Sequence, residues 1–306
     1  MQMTAKLRAE LAQGMVVGAG CFDALSARLA QLAGFRAIHM TGLGVEASQL
    51  GAPDLGLLSM TEVCTHAARM AEAVDIPILA DIDTGFGGVL NVGRTIREME
   101  RAGIAGVHIE DQALPKHCPL LAGRTVVSRE DAVDRLKAAL DARTDPNFVI
   151  VARTDADTIS FDEVVERANL FLAEGADMVM PMIMHVDGKS YFSLPPDEQL
   201  AWSRKLIGAI DGPVMNMGGS PPPGYTTDDL AEVGYAFTMY AASALSAAAN
   251  AMADLFKSIR ETGSDVSYFA TQAGPYTNPL ELMRAARLDH FVALETKYTA
   301  GLKSTT

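Results

Sequence analysis

The chain has 306 residues, 49% of them hydrophobic, and a formal net charge of −13. That length suits one large α/β barrel, and the negative charge argues against nucleic acid or an anionic membrane surface as the main partner. The three cysteines, Cys21, Cys64 and Cys118, lack metal-site spacing and are too few for a disulfide framework.

The opening MQMTAKLRAELAQGM is a polar amphipathic segment rather than a signal peptide. No later run approaches membrane-spanning length, which predicts a cytoplasmic globular protein. From there short apolar runs alternate with amphipathic stretches. Strands are expected over 15–18, 37–40, 77–82, 106–110, 148–152, 178–181, 213–217 and 235–239. Helical patterns lie between most of them, over 24–33, 60–74, 92–102, 128–142 and 161–174. The last of these, FDEVVERANLFLAEG, has apolar residues at helical spacing and Gly175 as its stop. Ala33-Gly34 and Ala102-Gly103 repeat that hand-over, glycine supplying the left-handed residue that ends a helix. Eight strands in strict alternation predict an α/β fold of the closed (β/α)₈ type, one domain over 1–306. No GxGxxG follows an early strand, which disfavours a dinucleotide fold. Residues 241–306 are expected to form C-terminal helices for oligomer packing, over 241–262 and 279–298.

In a parallel barrel, site residues project from the C-terminal ends of the strands. Here those ends carry Thr41-Gly42, Asp81-Ile82-Asp83, Glu110-Asp111, Arg153-Thr154-Asp155 and Asn216. Taken singly, each reads equally well as a turn, a helix cap or a surface ion pair. Their shared position points to a site instead. Asp81, Asp83 and Glu110 offer hard oxygen ligands suited to Mg²⁺ or Mn²⁺ rather than zinc, with one or two binding directly and the rest through water. Two carboxylates at i, i+2 on a strand share a face. Arg153 can make a paired contact with a carboxylate and stabilise charge that develops on it. The loop after the fourth strand carries Lys116-His117-Cys118-Pro119-Leu120. A Lys-x-Cys above a metal site reads as a mobile acid/base element, with Lys116 and the metal lowering the thiol pKa. Cys21 and Cys64 read as structural.

Across nearly the whole chain, specific motifs resemble the isocitrate lyase/phosphoenolpyruvate mutase superfamily, nearest its methylisocitrate lyase and 2,3-dimethylmalate lyase branch. They are Gly20-Cys21-Phe22-Asp23, Gly42-Leu43-Gly44-Val45, Pro53-Asp54-Leu55-Gly56, Asp81-Ile82-Asp83-Thr84-Gly85-Phe86-Gly87, His108-Ile109-Glu110-Asp111-Gln112 and Val151-Ala152-Arg153-Thr154-Asp155. The resemblance implies a barrel whose C-terminal helix swaps between subunits, in a homotetramer built as a dimer of dimers. It implies Mg²⁺ near Asp81 and Asp83, with Asp54 and Glu110 holding its water shell. Thr41, Gly42 and Leu43 would receive a substrate carboxylate, and Arg153 would clamp the oxyanion side. Lys116 and Cys118 match the lyase branch, in which the cysteine donates and accepts the proton.

Three positions depart from the lyase pattern. Pro119-Leu120 stands where Gly-His is expected, Thr41 where Ser is, and Met182 where a Glu or His would end the sixth strand. His185 lies nearby but out of register, and Leu121-Ala122-Gly123-Arg124 is more mutase-like. These changes remove polar groups from the pocket. The expected reaction is a Mg²⁺-dependent carbon–carbon cleavage of a small 2-hydroxy di- or tricarboxylate, of the methylisocitrate or alkylmalate type. Catalysis would rest on Cys118, Lys116, Arg153 and Asp54, and substrate binding on Thr41, Gly42, Leu43, Arg153 and Asn216. The alternatives are phosphoenolpyruvate or carboxyphosphonoenolpyruvate mutation, phosphonopyruvate hydrolysis, oxaloacetate decarboxylation or hydrolysis, and a non-catalytic small-acid binder.

Overall fold

Runs such as GVHIE and VIVART show no alternation of polar and apolar residues, as strands buried on both faces of a parallel sheet require. In the computed structural model, which describes residues 2–186, 188–217 and 219–299, both are fully buried strands. They belong to a seven-stranded parallel sheet. Its members are β1 (Val16–Cys21), β2 (Ala37–Met40), β3 (Ile78–Asp81), β4 (Gly106–Glu110), β5 (Val149–Thr154), β6 (Met178–Pro181) and a last strand, Phe237–Met239. The spatial order runs from β6 through β5, β4, β3, β2 and β1 to the last strand.

The run expected at 213–217 contributes isolated parallel bridges instead of a full strand. Val214 pairs with Val179 and Met215 with Phe237. Four backbone hydrogen bonds of 2.8–3.0 Å carry these bridges, two to β6 and two to the last strand's side, and they close the sheet into the barrel. Pro213 at the start has no N–H to donate, so the ladder is short.

Helices cover the outside, each placed by its apolar spacing. Val89–Arg101 buries Val92, Ile96 and Met99, and Phe161–Ala173 buries Val164, Ala168 and Phe171 with Ser160 as its cap. The N-terminal amphipathic segment is a helix, Met3–Leu11. Its Arg8 bonds to Phe148 O and Asp177 Oδ1 beneath β5 and β6, and Leu7 is buried with the barrel interior. That interior is rich in methionine: Met178, Met180, Met182, Met184, Met215 and Met239 pack in it. Gly20 is required at the end of β1, because a Cβ there would lie 2.1 Å from Tyr240 O.

The chain divides into two compact units at Ala244 and Leu245. The helix Ser243–Thr262 begins at this boundary and buries none of its residues. Met252, Phe256 and Ile259 lie exposed on it at i, i+4 and i+7. The single helix expected over 279–298 is two, Pro279–Ala285 and Leu288–Thr299. The break falls at Arg287, whose φ of 70° is left-handed.

Candidate active site

The helix Gly42–Leu50 starts directly after β2, with the Thr41 hydroxyl accepting Gly44 N–H at 3.1 Å as its cap. Its first N–H groups therefore point at the barrel mouth, a ready receptor for an anion. Gly42 has to be glycine, since a Cβ there would lie 2.7 Å from Asp81 Oδ2 and 3.6 Å from Asp83 Oδ1. From the same helix the buried Glu46 accepts N–H bonds from Leu55, Leu57 and Leu58, pinning the loop that carries Asp54.

Asp81 ends β3, but Asp83 lies beyond it with a left-handed φ of 48°. A turn, not the strand pleat, brings the two together, and Asp83 N–H donates to Asp81 Oδ1 at 2.9 Å. Lys116 is buried between the acids: its Nζ is 2.6 Å from Asp83 Oδ1 and pairs with Asp54 Oδ1. Burial, with Asp81 and Asp54 close by, pushes Asp83 up to about 7 against the pull of Lys116. Burial also favours the neutral form of Asp81, but His108, Lys116 and Arg153 outweigh it and hold that carboxyl below its usual range. Glu110 is pushed well above its ordinary value by burial, with Asp155 adding to the effect.

Arg153 lies fully inside. Its Nε and Nη2 are committed to Asp155 at 2.9 and 3.0 Å, while Nη1 lies 2.9 Å from Glu110 Oε2. Its paired fork is therefore already taken by the protein, and Nη1 is the corner that faces Glu110. Asp155 also accepts from Arg124 at 2.7 Å, fixing the far end of the Lys-x-Cys loop. Asp111 ties β4 to β5 through Thr154 and the Asp155 N–H.

Cys118 is buried in this arrangement, its N–H bonded to Asp54 O at 3.1 Å. The protein's own groups leave its thiol raised. Burial dominates, and the Leu120 N–H, Arg153 and Lys116 pull only weakly the other way. Cys21 and Cys64 are buried in the outer core, as expected.

Thr41, Gly42, Leu43, Asp54, Asp81, Cys118 and Arg153 line one cavity of roughly 270 Å³, while the buried Glu110 and Lys116 and the half-buried Asp83 lie beside it without lining it. Asn216 is buried at the seventh barrel position but does not line that cavity. Met182 and Leu120 do line it, Met182 buried and Leu120 largely exposed, whereas His185 is exposed on a small hairpin. Sequence reasoning missed His39 and His108, stacked in the cavity floor with their Nε2 atoms 2.9 Å apart. Burial lowers both, and His108 Nδ1 sits 3.7 Å from Asp81 Oδ1. It also missed that most of the opposite wall is methionine. Met180, Met184, Met217 and Met239 join Met182 there.

The donor set fits a hard divalent cation. Among the described residues Glu110 Oε1 is buried without a hydrogen bond, a costly state that a cation would relieve, whereas Glu110 Oε2 and Asp83 Oδ1 face the cations of Arg153 and Lys116. Among those residues no group of three or more acidic, histidine or cysteine side chains is placed so as to hold a metal ion by itself. An open arrangement suits Mg²⁺, which keeps several waters and takes one or two carboxylates.

The family described as phosphoenolpyruvate phosphomutase matches residues 7–260. The chain belongs to that family. Its relatives include the 2,3-dimethylmalate lyase of Eubacterium barkeri, 39% identical over 85% of this chain and 87% of that protein. The 2-methylisocitrate lyase of Escherichia coli (strain K12) is 37% identical over 82% of each. Among solved structures, a phosphonopyruvate hydrolase complex with oxalate and Mg²⁺ superposes with a TM-score of 0.79 at 30% identity, over 96% of this chain and 99% of that one. The family thus spans lyase and C–P chemistry on one barrel.

Proposed function

We propose that the chain is a Mg²⁺-dependent carbon–carbon lyase that cleaves a small 2-hydroxy dicarboxylate of the alkylmalate type. The observation that carries this reading is that Cys118 lines the same cavity as the Gly42–Leu50 N-terminus, Asp81 and Arg153. The relatives that act on dimethylmalate and methylisocitrate support it.

Asp81, Asp83 and Glu110 would hold the cation, Asp54 its water shell, and when bound it would polarise the substrate's 2-oxygen and carboxylate. The Gly42 and Leu43 N–H groups, with Thr41 fixing their helix, bind the carboxylate of the future keto acid. The 2-hydroxyl proton passes to a carboxylate of the Asp54–Lys116–Asp83 cluster, C2 becomes a carbonyl, and the C2–C3 bond breaks. Arg153 Nη1 stabilises the charge that gathers on the second carboxylate. The electron pair left on C3 takes the Cys118 proton. Asn216, outside the cavity, supports the site from the seventh barrel position.

No helix among the described residues is long and apolar enough to cross a membrane, and a cytoplasmic enzyme fits the free, buried thiols. The exposed apolar stripe of Ser243–Thr262 supports self-assembly through the C-terminal helices, as a tetramer of helix-swapped dimers.

The test is a screen of 2-alkylmalates, methylisocitrate, oxaloacetate and phosphonopyruvate with Mg²⁺. Keto-acid release together with a second carboxylic acid is the expected result. Phosphate release from phosphonopyruvate, seen by phosphorus NMR without malate cleavage, would replace the lyase reading by C–P chemistry.

A further inference from the structure

The cavity wall across from the carboxylates has no part in the bond cleavage described above. Asp81 stands at the third barrel position and Met217 just past the bridges at the seventh, half-way round the ring. On that side Met180, Met182, Met184, Met217 and Met239 line the cavity with the ring of Phe192. The side-chain polar groups there, among the described residues, are the hydroxyls of Ser220 and Ser243, and none is a cation.

This wall is built rather than incidental. Met184 N–H donates to Asp157 Oδ2 at 2.8 Å, and the same oxygen accepts from Arg124 Nη2 at 3.1 Å. The methionine segment is thereby tied to the base of the loop that carries Cys118. Gly219 lets the Phe192 ring lie close, since a Cβ at that position would be 3.1 Å from it.

The cation beside this wall is Arg153, the register partner of Met180, and it is already paired with Asp155 and Glu110. A third substrate carboxylate here would be desolvated without a countercharge of its own, which is unfavourable. Thioether side chains, unbranched and freely rotating, fit apolar groups of varied shape. A methyl group would touch only a fraction of these five side chains and the Phe192 ring. The keto-acid end is held on the β2–β3 side, so the carbon protonated by Cys118 is the one nearest the wall.

We propose that these methionines and Phe192 form a subsite for an uncharged alkyl or thioether chain longer than methyl, carried on the carbon that Cys118 protonates. The acid released would then bear that chain. This inference rests on the lyase reading and names the substrate class of the same site.

The test uses the full chain with Mg²⁺ and 2-hydroxy-2-methylsuccinates bearing hydrogen, methyl, ethyl, propyl, butyl or carboxymethyl at C3. Pyruvate release and calorimetric affinity are both measured. The expected result is a gain of about fourfold per added methylene in kcat/KM and in affinity, with propyl at least about tenfold ahead of carboxymethyl. Met217→Lys should reverse the order of those two, and Ser220→Lys provides the same charge test if the first variant does not fold. Best activity and affinity with methyl, or carboxymethyl equal to propyl, would overturn the subsite while leaving the lyase reading intact. Affinity that climbs with chain length but no pyruvate from any compound would uphold the subsite and overturn the lyase reading.

Discussion

The two halves of the barrel mouth are built on opposite principles. On the β2–β5 side, charged and titratable groups are buried together and hold one another: Asp54 with Lys116, Asp83 with Lys116, Arg153 with Asp155 and Glu110. On the side from β6 to the last strand, the wall is methionine with two hydroxyls. Buried ions are costly and survive only when paired or hydrogen-bonded, so the first half is a fixed frame for one chemical step. The second half is soft, and it is where members of one family can differ in substrate without disturbing the chemistry.

Breaking the charged half should have the larger effects. Cys118→Ser should lower kcat by about 10³-fold or more while pyruvate–Mg²⁺ binding, followed by calorimetry, stays within about twofold. Equal turnover would remove Cys118 from the mechanism. Asp83→Asn should weaken Mg²⁺ binding by about 100-fold, and Met184→Ala should leave that affinity unchanged. A matching loss in both would erase the distinction between the halves.

Smaller effects sharpen the frame. Glu46→Gln leaves one oxygen for three N–H groups, and should cost about 1–3 kcal/mol of stability by chemical denaturation. It should also lower kcat, because Asp54 rides on the loop that Glu46 holds. The smallest effect lies outside the site. Glu163 is held down to about 2, first by Arg129 and then by Arg167. A depressed carboxyl contributes its stability above its free value near 4.5, and loses it as pH falls through about 2. Glu163→Gln should therefore flatten the fall in Tm between pH 4.5 and 2 by a few degrees, without changing kcat at pH 7.

Much of the frame could be read from residue order. Strand ends bearing Thr41, Asp81, Glu110 and Arg153 fall on one face because a parallel barrel leaves them nowhere else; Thr41, Asp81 and Arg153 line one cavity, and Glu110 is buried against Arg153. The rest depended on three-dimensional facts. Asp83 reaches Asp81 through a left-handed residue, which the i, i+2 rule for strands does not foresee. That the loop of Lys116 and Cys118 packs inward on Asp54, where burial pushes the thiol up against the pull of Lys116, is set by the fold and not by the local sequence. The seventh strand shrank to bridges because Pro213 opens it. The methionine wall was half legible: Met182 stood out as a missing polar group, but its four partners are scattered over β6, the seventh position and the last strand. His39 and His108 looked like ordinary strand interior until the register brought them ring to ring.

The most direct test of the central claim is the fate of the proton at C3. With Mg²⁺ and 2,3-dimethylmalate in D₂O, mass spectrometry should find pyruvate and propionate in equal amounts, with a single deuterium at C2 of the propionate. The Cys118→Ser protein should yield neither product. Pyruvate and deuterated propionate formed at an undiminished rate by Cys118→Ser, or no cleavage by the unaltered protein, would contradict a lyase whose proton donor is Cys118.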